Sequence, residues 1–164
     1  MKLAVQIDDE ENLLAEFGVS SPDYDALEET WQNYLEEKVP ALAASDLVSV
    51  SLKICSTAAI KDLNHRYRFL DEPTDVLSFP MWEQGGVFSP PRGWSEIPLG
   101  DIAICPEVVK LTSDEENRDV SYDFLLMLMH GFLHLLAWDH DTEERESEMF
   151  SEQENLLRLY LQKV

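Results

Sequence analysis

Three of the four histidines in the 164-residue chain fall within eleven positions, His130, His134 and His140, in the stretch Met129–His140 that reads MHGFLHLLAWDH. A solvated surface does not gather imidazoles in this way, and an apolar helix has no use for them. His130 and His134 are four apart, so on a helix they share a face with Cβ atoms roughly 5–6 Å apart. That separation suits two ligands of one metal ion. His140 reaches the same ion only if the chain turns between Leu136 and His140. Three neutral imidazoles then leave one position of a tetrahedral zinc site open, which is the catalytic type; structural sites close all four. An open position binds water and brings its pKa to about 7, which supplies hydroxide for attack on a carbonyl or a phosphodiester. Imidazoles also accept nickel, iron or copper, so the spacing does not choose the metal.

The histidine spacing fits the long zinc-peptidase signature H-E-x-x-H-x-x-G-x-x-H, but the residues between do not. Gly131 stands where that signature has its general base, and Ala137 stands where it has the glycine of the turn. Peptidase chemistry by the usual route therefore lacks its base. Asp139 and Asp141 are candidates to orient an imidazole through its second nitrogen, although a turn residue and a helix cap are the plainer readings. Arg68 is the cation of most interest, because a guanidinium grips a phosphate bidentately and stabilises charge developing on phosphorus.

The elements that must position these groups follow from periodicity. Leu3, Val5 and Ile7 alternate, as do Val48, Val50, Leu52 and Ile54, and both stretches read as strands. A helix opening at Pro22 or Asp23 presents Leu27, Trp31, Tyr34 and Leu35 on one face and ends before Pro40. Ser56 or Thr57 starts another helix, through Ile60, Leu63 and Tyr67. Asp75–Met81 reads as a third strand with Pro80 at an end or edge, and Leu99–Cys105 as a fourth. Between them, Trp82–Pro98 holds Gly85-Gly86, Pro90-Pro91, Arg92 and two tryptophans, and reads as a long loop. Pro106 opens a short helix. Arg118–Leu136 forms a buried central helix, and a last helix capped by Asp141 carries Met149, Phe150, Leu156, Leu157, Tyr160 and Leu161 inward. The expectation is one α+β domain spanning residues 1–164: a small four-stranded mixed sheet packed with about five helices, and the zinc site at the end of the central helix.

Composition sets limits. Twelve basic against 33 acidic residues give a net charge of −21, which repels polyanions. Lys53 to Arg92 is the neutral exception, with five basic and five acidic residues, so a polyanion is expected to bind where this segment faces the histidines. Cys55 and Cys105 lie in apolar runs and read as core residues. No secretory signal, transit peptide or long apolar span is seen, and a soluble cytoplasmic protein without membrane contact is expected.

Three stretches, in order, carry a resemblance. HGFLHLLAWDH resembles the H-G-x-L-H-L-x-G-Y-D-H signature of the YbeY family of ribosomal RNA maturation factors. LNHRYRFLDEPTDVLSFP, from Leu63 to Pro80, is similar to that family's asparagine–arginine segment followed by T-D-V-L-S-F-P, and LGDIAIC, from Leu99, to its G-D-I strand. The resemblance runs from about Ile60 to Leu157. It implies a metal-dependent, single-strand-specific endoribonuclease acting in small-subunit ribosomal RNA maturation and ribosome quality control. It also implies one zinc ion on His130, His134 and His140, and Arg68 as the arginine near the metal. The chain departs from the pattern at Ala137 and Trp138 and in the length of the Trp82–Pro98 insertion, which is a candidate lid or substrate arm. His65 has no counterpart and reads as a surface residue. A ribosome-associated protein partner would offset the charge of the chain. The rival expectations are a non-catalytic assembly factor stabilised by its metal, and a zinc hydrolase acting on a peptide or small amide.

Overall fold

The structure, a computed structural model, describes residues 1–164. Strand β1 (Lys2–Asp8) is followed by a single helical turn, α1 (Leu13–Glu16), and by α2 (Tyr24–Lys38), whose first turn is capped by the Asp23 carboxylate accepting from the Ala26 N–H. After β2 (Leu47–Ile54) come α3 (Thr57–Arg68), capped by Ser56, and β3 (Val76–Pro80). A small hairpin, β4 (Glu83–Gln84) and β5 (Val87–Phe88), leads to β6 (Glu96–Ile104). Helices α4 (Pro106–Glu115), α5 (Val120–Leu135) and α6 (Glu143–Leu161) complete the chain. The α+β class and the four-stranded mixed sheet agree with the sequence reading; the four-residue α1 makes the helices six rather than five.

The sheet order is β1-β2-β6-β3. β1, β2 and β6 run parallel, while β3 lies antiparallel to β6 at the edge, where Pro80, at its end, can lack an N–H without breaking a ladder. One face of the sheet meets α2, α5 and α6 in a core of 30 buried residues. Side chains alternate across a strand, so Leu77 and Ala103 point the other way, into a five-residue cluster with Cys55, Cys105 and Ile60 of α3. Both cysteines are buried and unpaired, as their apolar surroundings predict.

α5 is the axis of the larger core. Phe132 stacks on Trp31 of α2 with ring centroids 4.4 Å apart, and the Trp31 indole N–H points at Met129 Sδ, 3.2 Å away. Its other side lies close against the sheet at Gly131. A Cβ there would stand 2.9 Å from an Ile102 methyl carbon, and the Gly131 carbonyl accepts a hydrogen bond from the Ser78 hydroxyl at 3.1 Å. The position that holds the general base in zinc peptidases thus has no room for a side chain.

Several boundaries differ from the sequence reading. β6 begins at Glu96 and runs through Pro98, which pairs with Ser49 of β2; the parallel register then shifts, and Val50 pairs with Gly100, leaving Leu99 as the extra residue. The insertion contracts accordingly and folds back as the β4–β5 hairpin on Gly85 and Gly86, both at positive φ. α6 is capped by Thr142, not Asp141, and Phe150 and Leu161 stay 48% and 43% exposed while Gln153 takes an inner position. No helix is long and apolar enough to cross a membrane.

Gly100 is the tightest point of the sheet. Its φ is +141°, and a Cβ would fall 2.2 Å from the Phe79 carbonyl oxygen of β3. Gly100→Ala should cost about 3 kcal/mol or more, because neither backbone can yield without breaking the ladder. Urea unfolding of the variant checks this; an unchanged midpoint would show that β3 can shift away.

Candidate metal centre

The sequence of α5 ends in a way that turns the chain at once. Leu136 closes the helix and Ala137 takes the left-handed conformation at φ +68°. The Trp138 N–H then donates to the Leu133 carbonyl and the Ala137 N–H to the His134 carbonyl, both at 3.1 Å. This pair of bonds is the Schellman ending, in which glycine usually occupies the left-handed position. Alanine takes it here at some strain, since its Cβ crowds the following carbonyl. The Asp139 carboxylate next accepts from the His140 N–H at 2.8 Å and fixes the last residue of the turn. That reversal brings His140 back over the face that carries His130 and His134.

The three imidazoles converge. One ring nitrogen from each lies within 4.8 Å of the others. His130 Nε2 and His134 Nε2 are 3.1 Å apart. Two nitrogens each about 2.0–2.1 Å from one tetrahedral zinc ion stand about 3.3 Å apart, so the pair is already near ligand spacing. The residues present fit a metal ion: neutral nitrogen donors only, no thiolate near, and no fourth side chain in the cluster.

A residue that periodicity did not flag orients the first ligand. His130 Nδ1–H donates to Gln153 Oε1 of α6 at 2.9 Å, and Gln153 is 1% exposed. With Nδ1 holding the proton, Nε2 presents its lone pair to the shared centre. Asp139 and Asp141 do not play this part: Asp139 is bonded to backbone, and Asp141 grips Arg145 at 2.9 and 3.1 Å. Gln153 lies four after Met149 and three before Leu156, on the inner stripe of α6; a lone polar residue on that apolar face is the signal that the sequence reading passed over.

The histidines open into a recess of about 370 Å³ whose far wall holds Arg68, Thr74, Asp75 and Ser78. The structure therefore brings Arg68 to the same cavity as His130, His134 and His140. Arg68 is the last residue of α3, and Phe69 ends that helix at φ +59°. Buried Asn64 donates from Nδ2 to the Glu72 carbonyl at 2.9 Å and pins the loop that follows. Arg68 makes no ion pair, whereas Arg66, Arg118 and Arg145 are each tied to a carboxylate. Its charge is left free toward the recess. His65 sits away from this site, exposed, 3.7 Å from Asp71.

Burial lowers the pKa of both helical imidazoles; for His134, with the neighbouring histidines adding to the effect, it falls to about 4, and His130 moves in the same direction. Both are thus neutral ligands well below neutral pH. The unfolded chain takes up these protons near pH 6.5, the folded protein only lower. The unfolded state then binds more protons over that window, so this contribution to stability is full above pH 6.5 and is lost as pH falls toward about 4. Melting of the metal-free protein across that range should show a falling Tm, with a shallower fall in His134→Ala. Equal slopes in the two proteins would contradict it.

Comparison with known proteins identifies the family. The family model described as "Endoribonuclease YbeY" matches residues 16–160. A relative from Bacillus velezensis named Endoribonuclease YbeY is 35% identical, with 98% of this chain and 97% of that protein aligned. Others of the same name, from Acaryochloris marina and Bacillus subtilis, are 37% and 36% identical over 79% of this chain and 76% and 83% of their own lengths. Among solved structures, the solution structure of TM1509 from Thermotoga maritima superposes with a TM-score of 0.59 at 26% identity, covering 98% of this chain and 91% of that one. With the match to the family model spanning most of its length, the chain belongs to the YbeY family.

Proposed function

We propose that the chain, acting as one domain over residues 1–164, is a zinc-dependent endoribonuclease that cuts single-stranded RNA during maturation of small-subunit ribosomal RNA. The observation that carries this reading is the meeting of three imidazoles and an unpaired guanidinium in one recess, in a chain whose relatives bear the name endoribonuclease. His130, His134 and His140 would hold the ion. Bound there, zinc would supply Lewis acidity toward a phosphate oxygen and ionise water near neutral pH.

The protein's own groups do the rest. Gln153 keeps the proton of His130 on Nδ1, so the ligand set stays correctly faced. Arg68 holds two non-bridging oxygens of the scissile phosphate and stabilises the charge that builds on them. The recess favours a single strand, since a flexible chain can turn one phosphate inward and a stiff duplex cannot. Attack by water leaves a phosphate monoester; attack by the 2′-hydroxyl leaves a cyclic phosphate, so product ends report the route.

The charge of −21 makes affinity for free RNA weak and sensitive to salt. Delivery by a ribosome-associated protein in the cytoplasm fits that property. His134→Ala should lose the metal and all cleavage of single-stranded RNA. Arg68→Ala should keep the metal and cleave about 100-fold more slowly, the scale of losing one charge-stabilising donor. Metal analysis with a cleavage assay, using an unfolded polypeptide as control, measures both. Cleavage that survives chelation and both substitutions would overturn the reading; metal binding without cleavage would point to an assembly factor.

A further inference from the structure

The recess holding the histidines does not end at His140. Asp139, on its rim, also lines a second hollow of about 220 Å³ with Trp138 and Arg145. Trp138 and Leu136 in turn line a third, of about 520 Å³, whose walls include Tyr34, Lys38, Phe88 and Glu152. Shared residues set the three hollows next to one another along the turn that follows α5. Each contains one cation, Arg68, then Arg145, then Lys38, in a chain with only 12 basic residues against 33 acidic ones. Carboxylates line the same hollows: Asp75 and Asp139 the first, Asp139 and Glu148 the second, Glu152 the third, while Asp141 holds Arg145 and Glu37 lies 3.3 Å from Lys38. Charge alone therefore does not single out this path; the side chains of the third hollow do.

The third hollow differs in kind from the first. Its aromatic walls come from α2, from the turn and from the β4–β5 insertion. Tyr34 is buried, while Trp138 and Phe88 are half-buried and offer ring surface to the cavity. Aromatic rings with a cation beside them are what an unpaired nucleotide requires: π-faces for the base and charge for the backbone. Resting on the endoribonuclease reading above, we propose that this hollow is a subsite for a nucleobase of the RNA strand near the cleaved phosphodiester. The base stacks on Trp138 and Phe88, while the scissile phosphate lies at Arg68. The Glu152 carboxylate accepts from an exocyclic amino group, so the subsite favours adenine or cytosine over uracil. The insertion thereby supplies part of the substrate site, through Phe88.

The test uses the full-length protein and fluorescein-labelled 2′-O-methyl phosphorothioate hexanucleotides of A, C or U at low salt; the methyl group blocks attack by the 2′-hydroxyl and the sulfur slows attack by water. Wild type should bind the A and C strands more tightly than U. Phe88→Ala should weaken the A strand about tenfold, the scale of one lost base–aromatic stack, with zinc content unchanged. Glu152→Gln should narrow the A-over-U preference. A photocrosslink from 8-azidoadenosine in the wild type decides the matter even if a variant folds poorly: label on Trp138, Tyr34 or Phe88 supports the subsite. Label elsewhere, or wild-type affinity in Phe88→Ala, overturns it. Cleavage by the wild type alongside either of those results removes the subsite alone; a wild type that neither binds nor cuts RNA removes the nuclease reading as well.

Discussion

Three imidazole nitrogens, from His130, His134 and His140, are held within 4.8 Å of one another, the first two 3.1 Å apart. The bond from His130 Nδ1 to Gln153 turns His130 Nε2 toward the shared centre, and burial favours the neutral form of both helical rings. A metal ion would use all three nitrogens at once, and the packing of the rest of the molecule holds the rings in place for it. The Schellman ending forces the turn even though alanine, not glycine, must adopt the left-handed conformation. The Trp31–Phe132 stack and the contact of Gly131 with β3 and β6 keep α5 from sliding along the sheet. The ligands are thus placed by packing on three sides, and metal binding need not order them.

The same constraint explains why the chain is not a peptidase of the familiar kind. A glutamate beside the first histidine would have to stand where Gly131 meets Ile102 and Ser78. With that base excluded sterically, the recess keeps Arg68 as its nearest cation and presents a phosphate-shaped opportunity rather than an amide-shaped one. Asn64 links this to the fold: one buried amide pins both the end of α3 and the loop into β3, so Arg68 and the edge strand move together.

Much of this was readable from residue order because the relevant signals are local. His130 and His134 lie on one face by helical period alone, and the turn to His140 is demanded by the distance. β2 alternates cleanly between buried and outward residues, while β1 does so only as far as Val5, with Ile7 exposed at its end; Ser56 and Asp23 sit where caps belong. What escaped depends on contacts distant in sequence. Gln153 shares the inner stripe of α6 with Met149 and Leu156, but its partner His130 lies 23 residues away, so the stripe shows its face and not its bond. Pro98 lies within β6, opposite Ser49 of β2, beside a register shift that no local signal marks. Thr142 and Asp141 are equally plausible caps until Arg145 engages the aspartate side chain. The hollow beside Trp138 joins α2, the insertion and α6, three segments that no periodicity relates.

The most direct measurement is X-ray absorption on zinc-loaded protein. The account predicts one zinc per chain, three imidazole nitrogens at about 2.0–2.1 Å and one oxygen from solvent, with the imidazole signal reduced in His134→Ala. Sulfur scattering, a fourth protein ligand, or a zinc signal unchanged by that substitution would contradict it.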